Sequence, residues 1–417
     1  MATDYDVLII GAGPAGLGVA LPLLECGVKN IAVLEARHTG AAFDAWPAQM
    51  RLITPSFYSN PFYQPDLNAI SPYTSVADFA HCEHPTGASY AKYLRAFAKN
   101  YNIPVREGVR VERVEKPRRL FAGKDGHRFV VHTSEGEFTA RFVIWAAGEF
   151  FYPLDDDFDG AEHCLHNTKV NDWDALEGDE FAIIGGYESG IDAAVHLLRR
   201  GKTVHLFSRG QPWAEDNSDP SRSLSPFTRD RLREVLQAGT GKLELCSQAD
   251  IKQVLAYESG KWALFDQDDI PFVIGTQPIL ATGFTGSLTA IIEHFAIEGG
   301  LPVFSEEADE STTTPGLFYC GPLLRHRGSM FCFIYKFRSR FGVVARAIVQ
   351  RLKADEKPLT DYQKRGFLIE DLTCCTDCQC ALESKAEEPG ILSARARRYA
   401  EAAASRGESA SLSRLHS

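Results

Sequence analysis

A chain of 417 residues predicts two or three domains at roughly 150 residues each, and its 44% hydrophobic and 24% charged residues exclude wholesale disorder, collagen and a coiled coil. The 44 Lys and Arg against 55 Asp and Glu leave a formal charge of −11, so no basic surface for nucleic acid is expected. Ten cysteines do not make a disulfide scaffold: Cys26, Cys82, Cys164, Cys246, Cys320 and Cys332 are scattered and read as small buried thiols, whereas Cys374, Cys375, Cys378 and Cys380 crowd together.

Tyr5 to Ile10 is a short β-rich run that leads into Gly11-Ala-Gly13-Pro14-Ala15-Gly16 and then an apolar helical stretch. A second strand, Ile31 to Leu34, ends at Glu35, 19 residues past Gly16. This is the dinucleotide-binding fingerprint in the context it requires. Gly11 makes the tight turn, Gly13 lets backbone approach a pyrophosphate, and Gly16 lets helix and strand pack closely. The helix N-terminus binds the phosphates, and Glu35 can accept hydrogen bonds from a ribose. Val7 to Leu24 carries no charge over 18 residues, but its four glycines, two prolines and acidic upstream flank make a poor membrane span and a poor secretory signal. A cytoplasmic protein is expected.

The fingerprint recurs. Glu180 to Ile184 reads as a strand, Gly185-Gly186-Tyr187-Glu188-Ser189-Gly190 opens a helix through Leu198, and Thr203 to Phe207 is the next strand, ending in Ser208-Arg209. A carboxylate at that end would repel a 2′-phosphate, whereas Arg and a hydroxyl would bind one, so this site is expected to prefer NADPH over NADH. Tyr187 stands where the pattern has its second Gly.

Each copy precedes a predicted antiparallel meander. The first comprises Val109 to Val114, Phe129 to Thr133 and Glu137 to Val143, and runs into Ala146-Ala147-Gly148. The second comprises Lys242 to Cys246, Ile251 to Tyr257 and Trp262 to Phe265, followed by Ile279 to Leu280 and Ala281-Thr282-Gly283-Phe284. The fold class is therefore α/β, with two Rossmann-like dinucleotide-binding domains that bring two nucleotides face to face.

The set GAGPAG, Glu35, AAG, GGYESG, ATGF and Pro315-Gly316-Leu317-Phe318-Tyr319-Cys320-Gly321 resembles the two-dinucleotide-binding-domain flavoproteins, in particular the flavin-containing monooxygenase and thioredoxin-reductase-like groups. The resemblance spans about residues 1 to 350. It implies FAD on the first turn, with Ala36, Trp46, Val111, Ala147, Gly148 and Gly321 contributing, and NADPH on the second, with Thr282 and Gly283 contributing. It also implies a discontinuous FAD domain: residues 1–152, an inserted NADPH domain at 153–285, a returning part at 286–370, then the cysteine cluster and a loose tail at 371–417. A helix near Tyr335 to Leu352 would point its N-terminus at the flavin.

The reaction is less legible. Gly40 to Tyr73 is rich in Pro and aromatics, and its start resembles the GGxWxxxxxP stretch of flavin monooxygenases, which places Trp46 against the ring. Where that group has an Asn shortly after, this chain offers Ser56, with Asn60 out of register. Phe158 to Thr168 resembles their FxGxxxHxxx(Y/W) linker, with His166 as a domain-contact residue. The dithiol relays of disulfide reductases are absent: residues 181 to 290 hold only Cys246, and residues 30 to 80 hold no cysteine. Cys375-Thr-Asp-Cys378 is a CxxC, a spacing that serves redox pairs and soft metals alike. The expected protein is an NADPH-dependent FAD oxidoreductase acting on a small molecule, in first place a monooxygenase of a small soft nucleophile. Its alternatives are a reductase of a low-molecular-weight disulfide and a redox or metal sensor with structural FAD. A homodimer is one candidate assembly.

Overall fold

The computed structural model describes residues 3–58, 65–119, 127–215, 217 and 219–373. Asn60, the four clustered cysteines and the tail after them lie outside the described residues.

Strand β1 (Thr3–Ile10) is followed by helix α1 (Pro14–Glu25) and strand β2 (Ile31–Glu35). Val7, Leu8 and Ile9 are fully buried, as suits an unbroken apolar run in a parallel sheet covered on both faces. Helices α2 (Ala41–Asp44) and α3 (Gly87–Asn100) flank the aromatic segment, and β3 (Val105–Glu107) pairs with β2. The chain then makes an antiparallel meander of β4 (Val111–Arg119), β5 (His127–Thr133) and β6 (Gly136–Trp145). Because β6 also runs parallel to β1, the meander extends the parallel sheet, in the order β3-β2-β1-β6-β5-β4.

The second unit comprises β7 (Leu165–His166), β8 (Glu180–Ile184), α4 (Glu188–Arg199), β9 (Thr203–Ser208), α5 (Pro226–Ala238) and β10 (Lys242–Ser247). A separate antiparallel sheet follows, made of β11 (Gln253–Ala256), β12 (Trp262–Phe265) and β13 (Pro271–Ile274), before β14 (Ile279–Leu280) rejoins the parallel sheet in the order β10-β9-β8-β14-β7. Two expectations are corrected here. Lys242 to Cys246, expected in the meander, falls in β10 and pairs in parallel with β9 instead. The third meander strand is Pro271–Ile274, hidden in the sequence by a proline at its first position, where a strand tolerates one.

After the hairpin β15 (Ala296–Glu298) and β16 (Leu301–Val303), strand β17 (Leu317–Tyr319) returns to the first sheet and pairs with the last residues of β6, Leu317 with Val143 and Tyr319 with Trp145. The helix expected at 335–352 is split into α6 (Ile334–Phe337), a 3₁₀ turn and α7 (Phe341–Leu352). Helix α7 packs on α1 so closely that a Cβ on Gly18 would fall 2.0 Å from the Phe341 ring. At the start of α7 the Arg340 guanidinium is buried against the Asp309 carboxylate, Nη2 to Oδ1 at 2.8 Å, with His326 Nε2 2.7 Å from the same oxygen.

The connections between the two units, residues 146–154 and 281–287, lie side by side. The Leu154 amide donates to the Gly283 carbonyl at 3.0 Å and the Ser287 amide to the Gly148 carbonyl at 2.9 Å. Among the described residues no helix is long and apolar enough to cross a membrane.

Candidate functional site

The two glycine-rich turns are built alike. Gly11 and Gly185 take φ of +106° and +115°, and a Cβ on either would collide with a carbonyl of the crossing connection, 2.5 Å from Ala146 O and 2.2 Å from Ala281 O. A Cβ on Gly16 or Gly190 would sit 1.9 Å from the carbonyl of Gly11 or Gly185, which is the close helix–strand contact expected of that position. Gly13 differs from all four: a Cβ there would meet no protein atom within 4 Å. Its missing side chain leaves a cradle at the helix N-terminus, where free amides favour a phosphate.

Glu35 ends β2 beside this cradle. Its Oε2 accepts from the Ala12 amide at 2.8 Å and its Oε1 from the Arg37 amide at 2.9 Å. A carboxylate offers about four lone-pair sites, so two remain for ribose hydroxyls. In the second unit Ser208 holds the corresponding place, buried beneath Gly186, on which a Cβ would lie 2.7 Å from Ser208 Oγ. Arg209, the next residue, is exposed. The pair expected to read a 2′-phosphate is thus split: Arg209 is displayed and Ser208 is not.

One cavity of about 470 Å³ joins the two turns. Gly11, Gly13, Pro14, Ala15, Glu35, Trp46, Ala147 and Gly148 of the first predicted set line it, as do Glu188 and Ser189 of the second. Gly16, Ala36, Val111, Gly321, Gly185, Gly186, Gly190, Ser208, Arg209, Thr282 and Gly283 lie outside its lining. Thr282 is occupied elsewhere, its hydroxyl donating to the Leu154 carbonyl at 2.6 Å. Trp46 packs on Phe43 with ring centroids 4.9 Å apart, and Phe150, Phe284, Phe333 and Phe337 extend an apolar wall. The helical run at 334–352 therefore does begin at the cavity.

Glu188 is bound rather than free. It accepts from the Ser225 amide and, at 2.5 Å, from the Thr228 hydroxyl, which ties the start of α4 to the start of α5. Burial raises its pKa, and these hydrogen bonds pull the other way. His166, expected at a domain contact, is fully buried at the edge of the second sheet. Its Nε2 lies 3.1 Å from the Gly283 carbonyl, on the connection between units, and burial lowers its pKa to about 4, so it is a neutral structural group at pH 7.

Three cavity residues escape sequence reasoning. Asn68, buried, donates from Nδ2 to the Thr54 carbonyl at 2.8 Å and to Ser56 Oγ at 2.9 Å. Ser56, the predicted candidate, is buried outside the lining and holds Asn68 in place. Cys332, read as a buried structural thiol, lines the cavity and donates to Ser221 Oγ at 3.1 Å. Glu149 lines it directly after Gly148. Position after an AAG turn was the available signal for Glu149; nothing local marks Asn68 or Cys332.

The sequence profile of the pyridine nucleotide-disulphide oxidoreductase family matches residues 8–321. Bacilliredoxin reductase Bdr of Bacillus subtilis is 24% identical over 353 residues, which span 82% of this chain and 97% of that protein. Bacillithiol disulfide reductase Bdr from Staphylococcus aureus shares the fold with a TM-score of 0.66 at 18% identity, over 84% of this chain and 99% of its own. The ornithine N-hydroxylase of Kutzneria sp. 744 does so at 0.64 and 15%, over 84% and 100%. The chain belongs to the pyridine nucleotide-disulphide oxidoreductase family.

Proposed function

We propose that FAD lies along the first turn and NADPH along the second, and that the enzyme reduces a small disulfide. In this reading residues 1–152 and 286–370 form the FAD domain and residues 153–285 the NADPH domain. Gly13 admits the FAD pyrophosphate, Glu35 holds its ribose, and Arg209 pairs with the 2′-phosphate of NADPH. Bound FAD supplies the electron-pair relay between nicotinamide and acceptor.

Cys332 is the observation that carries the choice of acceptor. Exchange with a disulfide requires a thiol within reach of the bound sulfur, and Cys332 presents one in the wall that both turns share. Burial keeps it protonated, while the Ser221 hydroxyl, Lys336 and Arg325 pull toward the thiolate. Lys336 Nζ lies 2.6 Å from the same Ser221 oxygen, so a thiolate formed here has a cation close by. The alignment with bacilliredoxin reductase Bdr over nearly its whole length supports a reductase. Cys374, Cys375, Cys378 and Cys380, the candidate redox or metal thiols, lie outside the described residues.

Asn68 favours a second reading, a flavin monooxygenase, because it puts an amide into an apolar cavity where the sequence offers only Ser56. One experiment separates the two readings. Under nitrogen, the enzyme is given NADPH with cystine, oxidised glutathione or 2-hydroxyethyl disulfide, and thiols are counted. Two thiols per NADPH, with Cys332→Ser lowering kcat/KM for the disulfide but not the rate of flavin reduction, support the reductase. Thiol-free NADPH oxidation that begins only when the same mixture is opened to air and yields an oxygenated product supports the monooxygenase. No steady-state NADPH consumption with either would leave the sensor reading.

A further inference from the structure

Four carboxyls line the cavity that joins the two turns: Glu35, Glu149, Glu188 and Asp192. Three are committed to neighbours. Glu35 accepts from the Ala12 and Arg37 amides. Glu188 accepts from Ser225 and Thr228, and Asp192 accepts from Arg231 at 2.6 Å. The Glu149 side chain makes no hydrogen bond with any described residue. It follows Gly148 on the first connection between the units and lines the cavity together with Phe150, Phe284 and Phe333.

The chemistry calls for such a group. A hydride brings two electrons and one proton. Splitting a disulfide into two thiols consumes two electrons and two protons, and reducing O₂ to H₂O₂ consumes the same. One proton per turnover must come from somewhere other than NADPH. We propose that Glu149 supplies it, passing its carboxyl proton to the acceptor in the cavity and reloading from solvent. The inference rests on the FAD- and NADPH-dependent reading but holds for either acceptor.

The surroundings suit the task. Burial raises the Glu149 carboxyl to about 7, against the opposing pull of Arg325. A proton donor works best when its pKa lies near the working pH. Tyr319 and Cys332 also feel its charge, and burial holds both protonated, so neither competes as a charged partner at neutral pH.

The test uses two oxidants that do not depend on the physiological substrate. The purified holoenzyme is reduced with NADPH under nitrogen and mixed with O₂, which takes up a proton, or with ferricyanide, which takes electrons alone. With O₂, wild-type reoxidation should fall as pH rises through about 7. Glu149→Gln should be slower by roughly a hundredfold at pH 6 and should lose that pH dependence, while Glu149→Asp retains it. With ferricyanide all three should match. A yellow Glu149→Gln enzyme that keeps the wild-type pH profile with O₂ overturns the proposal. Should Glu149→Gln fail to hold flavin, infrared difference spectra of the wild-type holoenzyme decide: a protonated-carboxyl band that disappears between pH 6 and 8 supports the proposal, and its absence overturns it. A colourless wild-type protein that oxidises no NADPH would instead refute the functional reading beneath it.

Discussion

Gly13 and Tyr187 share one backbone geometry, with φ and ψ of −87° and −170° against −88° and −162°, each at the N-cap of its helix. Any residue can adopt that conformation, so Gly13 is required neither by the backbone nor by packing against protein. What remains is the space beside it, and a Val side chain there would stand where the pyrophosphate must lie. Gly13→Val is expected to fold, with stability within about 1 kcal/mol of the wild type, and to purify without flavin. Absorption spectra and a denaturant titration check both halves. A fully yellow variant would move FAD away from this turn. The converse substitution, Tyr187→Gly, should tighten NADPH binding several-fold, as read from the Kd of the oxidised enzyme.

Arg209 stands exposed one residue beyond β9, whereas Ser208 is covered by Gly186. A charge-assisted hydrogen bond contributes about 1.5–3 kcal/mol, or roughly ten- to a hundredfold in binding. Arg209→Ala should raise the KM for NADPH by that factor and leave NADH nearly unchanged. Ser208→Ala should do much less, because its hydroxyl faces the turn. Steady-state kinetics with both coenzymes distinguish these outcomes, and an equal loss for NADPH and NADH would remove Arg209 as the phosphate reader.

Neutral His166 makes stability depend on pH. Its folded pKa of about 4 lies below the ordinary 6.5 because burial disfavours the charged ring. Between those values the unfolded chain binds the proton and the folded protein does not, so stability is lost as pH falls from about 6.5 toward 4. The loss due to this one group should reach up to about 3 kcal/mol. Urea unfolding at pH 7 and pH 5 should show a smaller decline for His166→Gln than for the wild type.

The buried pair Asp309–Arg340 joins the segment before β17 to the start of α7, and the Arg340 Nη1 also donates to the Ile369 carbonyl at 2.6 Å. Removing one partner of a buried ion pair leaves the other charge without compensation, at a cost of about 3–5 kcal/mol. Arg340→Met should lower the unfolding free energy by that amount. Asp309→Asn introduced into Arg340→Met should recover part of it, and a merely additive double variant would show that the two residues do not act as a pair.

The first turn was readable because all of its parts are local. Strand, Gly11, Gly13, Gly16, helix and Glu35 fall within a single βαβ unit, and the spacing alone carries their geometry. The second turn was readable for the same reason, as far as Arg209. The cavity wall was not. Asn68, Glu149 and Cys332 line one cavity only because β6 ends at one connection, the aromatic segment folds over it, and the chain comes back after the second unit; no periodicity encodes that gathering. Ser56 was a near miss of this kind, since the hydroxyl expected at the site instead holds the amide that reaches it. Lys242 to Cys246 misled for a related reason: a short alternating strand suits a meander or the edge of a parallel sheet, and the choice depends on β9.

Strand β6 is flanked along one edge by two partners, β5 beside its first half and β17 beside its last three residues. During synthesis the first partner is already present when Trp145 emerges. The second is not made until the whole intervening unit has been translated, a wait of roughly 10–30 s at the usual pace of a ribosome. Throughout that interval the end of β6 presents open backbone amides and carbonyls beside Val143 and Ile144, a surface that other nascent strands can join. The arrangement that brings the two glycine-rich turns together therefore makes the newborn chain most prone to misassociate just before it can close, and a chaperone that shields the first unit should raise the yield of native protein more than one that acts after release.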